Sequence, residues 1–220
     1  MTAGEDPPPG RVLMAFGDSN THGTPPMPAL GTLGRHPPGT RWPDVAARRL
    51  GWTVLAEGLP GRTTVHDDPI EGAHRNGLTV LPALLESHRP LDVVAILLGT
   101  NDLKARYGLP AIDIALGLER LARVVLASTA GPGGAAPGVL LIAPVPILEA
   151  GCLAEVFAGG AATSRALAAH LAGVAARLGV PFLDAGGVAG VDPLDGVHLD
   201  LPAHAALGEA VAAAVARHWP

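Results

Sequence analysis

The sequence predicts an α/β protein, a three-layer αβα sandwich around a flavodoxin-like parallel sheet of five strands. Two observations carry that expectation. Five short, nearly continuous apolar runs alternate with five segments of helical periodicity along the 220 residues. Clusters of Gly, Asp, Ser, Asn and His then follow strands on the side where doubly wound sheets bind their ligands.

The strand runs are Arg11–Phe16, Trp52–Ala56, Leu91–Leu98, Val139–Ala143 and Val180–Leu183. Apolar runs of this kind fit parallel strands covered on both faces. The first helix is expected over Pro43–Leu50, with proline at a tolerated first turn and Gly51 as its stop. A second, Leu78–His88, ends before Pro90. The third, Pro110–Ser128, repeats Ile112, Leu116, Leu118, Leu121 and Val125 at helical spacing. Thr163–Leu178 stops at Gly179, and Pro202–His218 follows Asp200, a suitable N-cap. Alternating strands and helices call for right-handed crossovers. The 29 glycines and 22 prolines lie between these segments as punctuation. The stretch Gly23–Thr40 is too long for an ordinary βα connection, which marks it as functional or as an interface.

Composition narrows the function classes. With 48% hydrophobic and 16% charged residues, disorder is excluded as the default state. The net charge of −5 has the wrong sign for a nucleic-acid partner. The longest apolar runs, Val93–Leu98 and Ala210–Ala216, fall far short of a membrane span of roughly 18 residues. Residues 1–10 are acidic and Pro-rich, read as a flexible tail ahead of a single domain over 11–220, and lack the pattern of a secretory signal. Cys152 stands alone and forms no internal disulfide. A cytoplasmic protein is expected, with no membrane and no nucleic acid among its partners.

Four clusters carry the chemistry: Gly17-Asp18-Ser19-Asn20, Glu57-Gly58-Leu59, Gly99-Thr100-Asn101-Asp102 and Asp195-Gly196-Val197-His198. A serine hydroxyl is a weak nucleophile until a base takes its proton. His198 is a candidate base for Ser19, and Asp195 can hold its tautomer and stabilise the imidazolium. Asp192, six residues before His198, is the rival for that last role. A tetrahedral intermediate needs donors for its oxyanion. The Ser19 and Gly58 backbone N–H groups and the Asn101 amide are the candidates. Asp18, Asn20, Thr100 and Val197, their neighbours, are expected to contact substrate. Each cluster alone has a plainer structural use: a helix cap at Asp18 or Ser19, an Asx-turn at Asn101, a turn at Gly58. Arg62 and Lys104 are read as pairing with acids at the rim. His66, Asp67, Asp68 and His74 have metal-ligand side chains but no recognised zinc spacing. Neither GxGxxG nor GxxxxGK[ST] occurs, so no metal and no cofactor are expected.

Taken together, the clusters resemble the four blocks of the SGNH (GDSL) hydrolase superfamily, in order, over roughly Val12 to Val215. Longer strings are similar to its bacterial arylesterase/acyltransferase (perhydrolase-like) branch. These include Trp42, Glu57-Gly58-Leu59-x-x-Arg62-Thr63-Thr64, Asp67-Asp68-Pro69, Asp113-Ile114-Ala115-Leu116-Gly117 and Pro181-Phe182-x-Asp184-Ala185-Gly186. The resemblance implies the SGNH fold, with Ser19 as nucleophile, His198 as general base and acid, and Asp195 as its orienter. It also implies an oxyanion hole of Ser19, Gly58 and Asn101. It further implies hydrolysis of small esters, acyl transfer to alcohols or peroxide, and homo-oligomers of up to eight subunits. Asn20 stands where the family's name has Leu, and that position is not a catalytic one. The segment Pro144–Gly160 shares only Phe157-x-Gly159-Gly160 and its proline spacing with the branch. The small chain leaves no room for a lipase-like lid, so short acyl groups are expected. A carbohydrate deacetylase or thioesterase with the same triad, and a non-catalytic ligand-binding module, are the alternatives.

Overall fold

A computed structural model describes residues 10–220; of the expected tail over 1–10, only Gly10 lies among them. Five strands, β1 (Val12–Gly17), β2 (Thr53–Gly58), β3 (Val93–Leu97), β4 (Gly138–Ala143) and β5 (Phe182–Asp184), form one sheet in the order β2-β1-β3-β4-β5. Every pairing is parallel, which is the flavodoxin-like order expected. The helices are α1 (Ser19–His22), α2 (Trp42–Leu50), α3 (Gly77–His88), α4 (Ala111–Leu126), α5 (Gly160–Leu178) and α6 (Leu201–His218).

Alternation along the strands divides the core into two layers. Leu13 and Ala15 of β1, Val93 and Ala95 of β3, and Leu140 and Ile142 of β4 pack with Trp42, Leu207, Val211 and Val215 of α2 and α6. Met14, Phe16, Val94, Ile96 and Leu141 face the other way, onto Leu81, Ile114, Leu118, Leu167 and Leu171 of α3, α4 and α5. Each fully buried side chain of this size contributes about 1.5–3 kcal/mol.

Element boundaries depart from expectation by a few residues, with local causes. β5 begins at Phe182 rather than Val180 because Pro181 has no N–H to give; its carbonyl still accepts from the Leu141 N–H at 3.0 Å. α3 begins at Gly77 because the Asn76 side chain caps it, accepting from the Leu78 N–H at 2.9 Å. The sequence reading gave no helix at α1, whose four residues are too few to show a period. Among the described residues no helix is long and apolar enough to cross a membrane.

α1 lies directly on the carboxyl ends of β1 and β2. A Cβ on Gly17 would stand 2.0 Å from Thr21 Oγ1, and one on Gly58 would stand 2.1 Å from the His22 backbone nitrogen. Only glycine permits that approach.

α6 is joined to α2 by a buried polar contact. His204, fully buried on α6, accepts the Trp42 N–H on Nδ1 at 3.3 Å, and the His36 ring packs edge-on at 5.1 Å. Burial, with a smaller contribution from His36, pushes the His204 imidazole down to about 4. The unfolded chain takes up this proton near the ordinary value of 6.5, the native protein only near 4, so stability is lost as pH falls through that window. The expected loss from this group is about 3 kcal/mol, read as a drop in urea midpoint between pH 7 and pH 4. His204→Asn, whose amide oxygen keeps the acceptor, should flatten the drop; an unchanged slope would assign the acid sensitivity to other groups.

Candidate active site

The parallel sheet brings the ends of β1, β2 and β3 to one edge, and the connection from β5 to α6 folds over it. Ser19 is the first residue of α1 and 5% exposed. Its Oγ lies 3.0 Å from His198 Nε2, and His198 Nδ1 lies 2.7 Å from Asp195 Oδ2. A donor to a carboxylate at Nδ1 leaves Nε2 as the acceptor facing the serine hydroxyl.

Asp195 is fully buried and fully satisfied. Oδ1 accepts the Val197 and His198 N–H groups, both at 2.9 Å, and Oδ2 accepts the Met27 N–H at 2.7 Å beside the imidazole. Burial alone would raise this carboxyl; the hydrogen bonds from His198 and Val197 outweigh it and hold it at about 2. The rival, Asp192, is engaged elsewhere. Its Oδ1 accepts the Leu194 N–H at 2.8 Å, and its backbone N–H donates to the His198 carbonyl at 2.9 Å. Asp192 thus shapes the turn that Asp195 completes.

The three candidate oxyanion donors come from the ends of β1, β2 and β3. Asn101 opens the turn after β3, gives one amide hydrogen to the Arg62 carbonyl at 3.1 Å, and keeps the second for the cavity it lines. Its neighbour Asp102 is fully buried and accepts from the Thr64 N–H and hydroxyl, at 3.0 and 2.5 Å. Burial raises the Asp102 carboxyl against those bonds. Gly58 pairs in register with Gly17. The Leu59 N–H donates to the Gly17 carbonyl, so ladder alternation turns the Gly58 N–H away from β1. Ser19 contributes its own N–H from the start of α1.

Arg62 serves the scaffold instead of pairing with an acid at the rim as expected. Its Nη1 donates to the Gly17 carbonyl at 2.8 Å and to the Glu57 carbonyl, with the guanidinium 4.4 Å from the Phe16 ring centre. Buried, it sits at about 10, below the usual arginine value. Lys104 does pair with acids, Glu71 at 2.6 Å and Asp68 at 3.3 Å. Asp68 also holds Arg106 at 2.9 Å, and Asp67 accepts from Asn76 at 2.9 Å, so both carboxylates of the metal-type stretch are engaged with neighbouring side chains.

Above Ser19, Asn101 and His198 lies a cavity of about 590 Å³. Its lining combines the apolar side chains of Met27, Leu153, Val156 and Phe157 with the charged Glu71, Lys104 and Arg106. Of the residues expected to contact substrate, Val197 lines this cavity. The other three do not. Asp18 is buried and caps α1, accepting the Asn20 N–H at 2.9 Å; Thr100 is buried in the turn after β3, its carbonyl accepting the Leu103 N–H at 3.2 Å. Asn20 spends its amide on the backbone beside His198. The sequence reading missed Met27, whose contribution is a backbone N–H that no side-chain identity advertises.

A hydroxyl, an imidazole and a carboxylate in hydrogen-bonded series, beside donors for an oxyanion, define a serine hydrolase on a flavodoxin-like sheet. Residues 15–206 match the GDSL-like lipase/acylhydrolase family, and the chain belongs to it: the protein is an SGNH-type serine esterase. It is similar to the carbohydrate acetylesterase Est24 from Sinorhizobium meliloti, with 38% identity over 95% of this chain and 100% of the other and a TM-score of 0.91. It is also similar to the aryl esterase of M. smegmatis, with 38% identity over 94% and 99% and a TM-score of 0.90. A structure from Agrobacterium tumefaciens str. C58 is 44% identical over 94% and 99%, with a TM-score of 0.84. Comparison with curated proteins finds no match. Membership of this family sets aside the non-catalytic binding module.

Asp18 supplies a test of the site's electrostatics. Burial pushes its carboxyl up to about 6, against the Asn20 N–H and the charges of His198 and Arg62. The folded state therefore binds its proton more tightly than the unfolded state, and stability is lost as pH rises from about 4 to 6. Asp18→Asn keeps the cap acceptor and removes the charge. It is expected to stabilise the protein at pH 8 by about 2–3 kcal/mol and to change little at pH 4. An equal effect at both pH values in thermal melts would discard burial of this charge as the cause.

Proposed function

We propose that Ser19 is the nucleophile, His198 the general base and acid, and Asp195 the carboxylate that orients it, in hydrolysis of small short-chain esters. The observation that carries this reading is the continuous chain from Ser19 Oγ through His198 to Asp195, at 3.0 and 2.7 Å. Ser19 Oγ attacks the ester carbonyl carbon while its proton passes to His198 Nε2. The carbonyl oxygen becomes an oxyanion held by the Ser19 and Gly58 N–H groups and the Asn101 amide. Collapse breaks the ester bond, and His198 returns the proton to the departing alcohol. The acyl-Ser19 that remains is attacked by water, with His198 again taking the proton, and the acid leaves.

The apolar lining by Met27, Leu153, Val156 and Phe157 favours a second acceptor for that acyl group. An alcohol or hydrogen peroxide that partitions onto this lining competes with water. The charged part of the lining supports an acetylated carbohydrate as another substrate. Glu71, Lys104 and Arg106, held by one another and by Asp68, give that lining fixed charges for sugar hydroxyls, and Est24 is a carbohydrate acetylesterase. The lone cysteine is consistent with action in the cytoplasm. The long connection between α1 and α2 favours a homo-oligomer. Leu30 and Leu33 on it are 63% and 95% exposed while the same stretch walls the cavity.

Initial rates on p-nitrophenyl esters from acetate to dodecanoate test the main reading. Acetate to butyrate should be fastest. Ser19→Ala should lose roughly three or more orders of magnitude and Asn101→Ala about 10² to 10³ in kcat. Less than tenfold at either position would reassign its role. With benzyl alcohol added in water, a benzyl ester should form; free acid alone would remove acyl transfer. Light scattering should give an assembly larger than a monomer that Leu33→Asp shifts towards smaller species. A monomer with full activity at nanomolar dilution would remove the oligomer.

A further inference from the structure

We propose that Asn20 is a positioning residue of the esterase reaction, its side-chain amide holding the backbone on both sides of His198 so that the imidazole stays in line with Ser19. The inference rests on the reading of His198 as general base. Asn20 is 6% exposed, the second residue of α1. Its Nδ2 donates to the Val197 carbonyl at 3.2 Å and its Oδ1 accepts the Leu199 N–H at 3.1 Å. The two contacts bracket His198 as a two-point clasp, across 177 and 179 residues of chain.

The other hydrogen bonds around His198 do not do this. Asp195 holds the imidazole, and Asp192 holds the His198 carbonyl, but both belong to the same loop as His198. The Met27 N–H to Asp195 and the His36 ring to the Leu199 carbonyl, at 3.1 Å, reach that loop from the long connection, which is tied to the far end of α1, where the His36 N–H donates to the Gly23 carbonyl at 2.7 Å. Asn20 joins the loop to the helix that carries the nucleophile. α1 is itself fixed on that side, because Asp18 accepts the Asn20 N–H at 2.9 Å. The residue next to Ser19 therefore sets how far the base lies from it.

Leucine, the residue in the family's name at this position, can make neither bond. Replacing Asn20 by Leu leaves the Val197 carbonyl and the Leu199 N–H buried without partners, and the loop regains freedom to shift relative to α1. Displacement of a base by a fraction of an ångström to an ångström is costly in rate, because the near-attack geometry is lost. Since the Asn20 side chain does not face the cavity, substrate binding should be untouched.

The experiment measures kcat and KM on p-nitrophenyl acetate per titrated active site, with circular dichroism to confirm folding. Asn20→Leu should lower kcat about tenfold to a hundredfold, leave KM within about twofold, and slow phosphonylation of Ser19 by the same factor as kcat. Asn20→Asp keeps the acceptor for Leu199 and loses the donor to Val197. It should lower kcat several-fold at constant KM and decides the question if Asn20→Leu does not fold. Unchanged kcat per active site, with only a lower Tm, would reduce Asn20 to a structural role. A raised KM at unchanged kcat would make it a substrate contact. Either result overturns the proposal. His198→Ala is the control: if it keeps activity, the reading of the base has failed, whatever Asn20 does.

Discussion

The site depends on a steric constraint: a helix must begin on top of two strand ends with no side chain between. Gly17 and Gly58 meet that demand, and the first residue of the helix is Ser19. Once α1 is seated there, the Ser19 N–H and the Gly58 N–H lie at the same sheet edge as the end of β3, where Asn101 starts its turn. Arg62 binds the same ends from beneath by taking the carbonyls of Gly17 and Glu57 and stacking on Phe16. Its own carbonyl then orients the Asn101 amide. Ser19, Gly58 and Asn101 thus belong to one corner of the sheet, the arrangement that the proposed oxyanion site requires.

His198 arrives separately, on the connection from β5 to α6. The electrostatics of the two parts are opposed. Asp195 is buried, yet its backbone donors and the imidazole keep it ionised far below the ordinary range. Asp18 is buried with one oxygen capping α1 and the other without a partner, and it is driven the opposite way, to about 6. Two carboxylates on either side of Ser19 therefore differ by the number of N–H groups that solvate them. In the proposed reaction, a fixed negative charge at Asp195 stabilises the imidazolium formed when Ser19 gives up its proton. The cost of holding Asp18 is borne by the core around it.

Much of this was legible in the residues. Apolar runs marked all five strands; β1, β3 and β4 are covered on both faces and have no polar alternation to hide them, while the half-buried edge strands β2 and β5 carry shorter runs. Spacing placed Asp195 and His198 together, since three residues of loop suffice to bring a carboxylate to an imidazole. Asp18, Asn20 and Thr100, expected as substrate contacts, do not line the cavity, because nearness in sequence to Ser19 says nothing about which way a side chain turns. Asn20 points across the molecule to a segment almost 180 residues away, a separation that no local pattern encodes. Arg62 escaped for a related reason. It spends its charge on backbone carbonyls, which every residue possesses, instead of on an acid with a recognisable identity. Met27 could not have been named at all, because the group that matters is its peptide N–H.

That peptide N–H has a consequence for how this enzyme can diversify. Met27 sits in the connection whose residues wall the entrance, and it is also one of the groups that hold Asp195. Its carbonyl is engaged as well, by the Cys152 thiol from the segment that supplies apolar lining. Lengthening or reshaping the entrance to admit a bulkier ester would disturb a solvating group of the carboxylate that holds the imidazole. The shape of the entrance and the setting of the imidazole are therefore inherited together. Changes that leave residues 26–28 in place and remodel the tip around Leu30–Gly34 offer selection a route to new substrates that spares the chemistry.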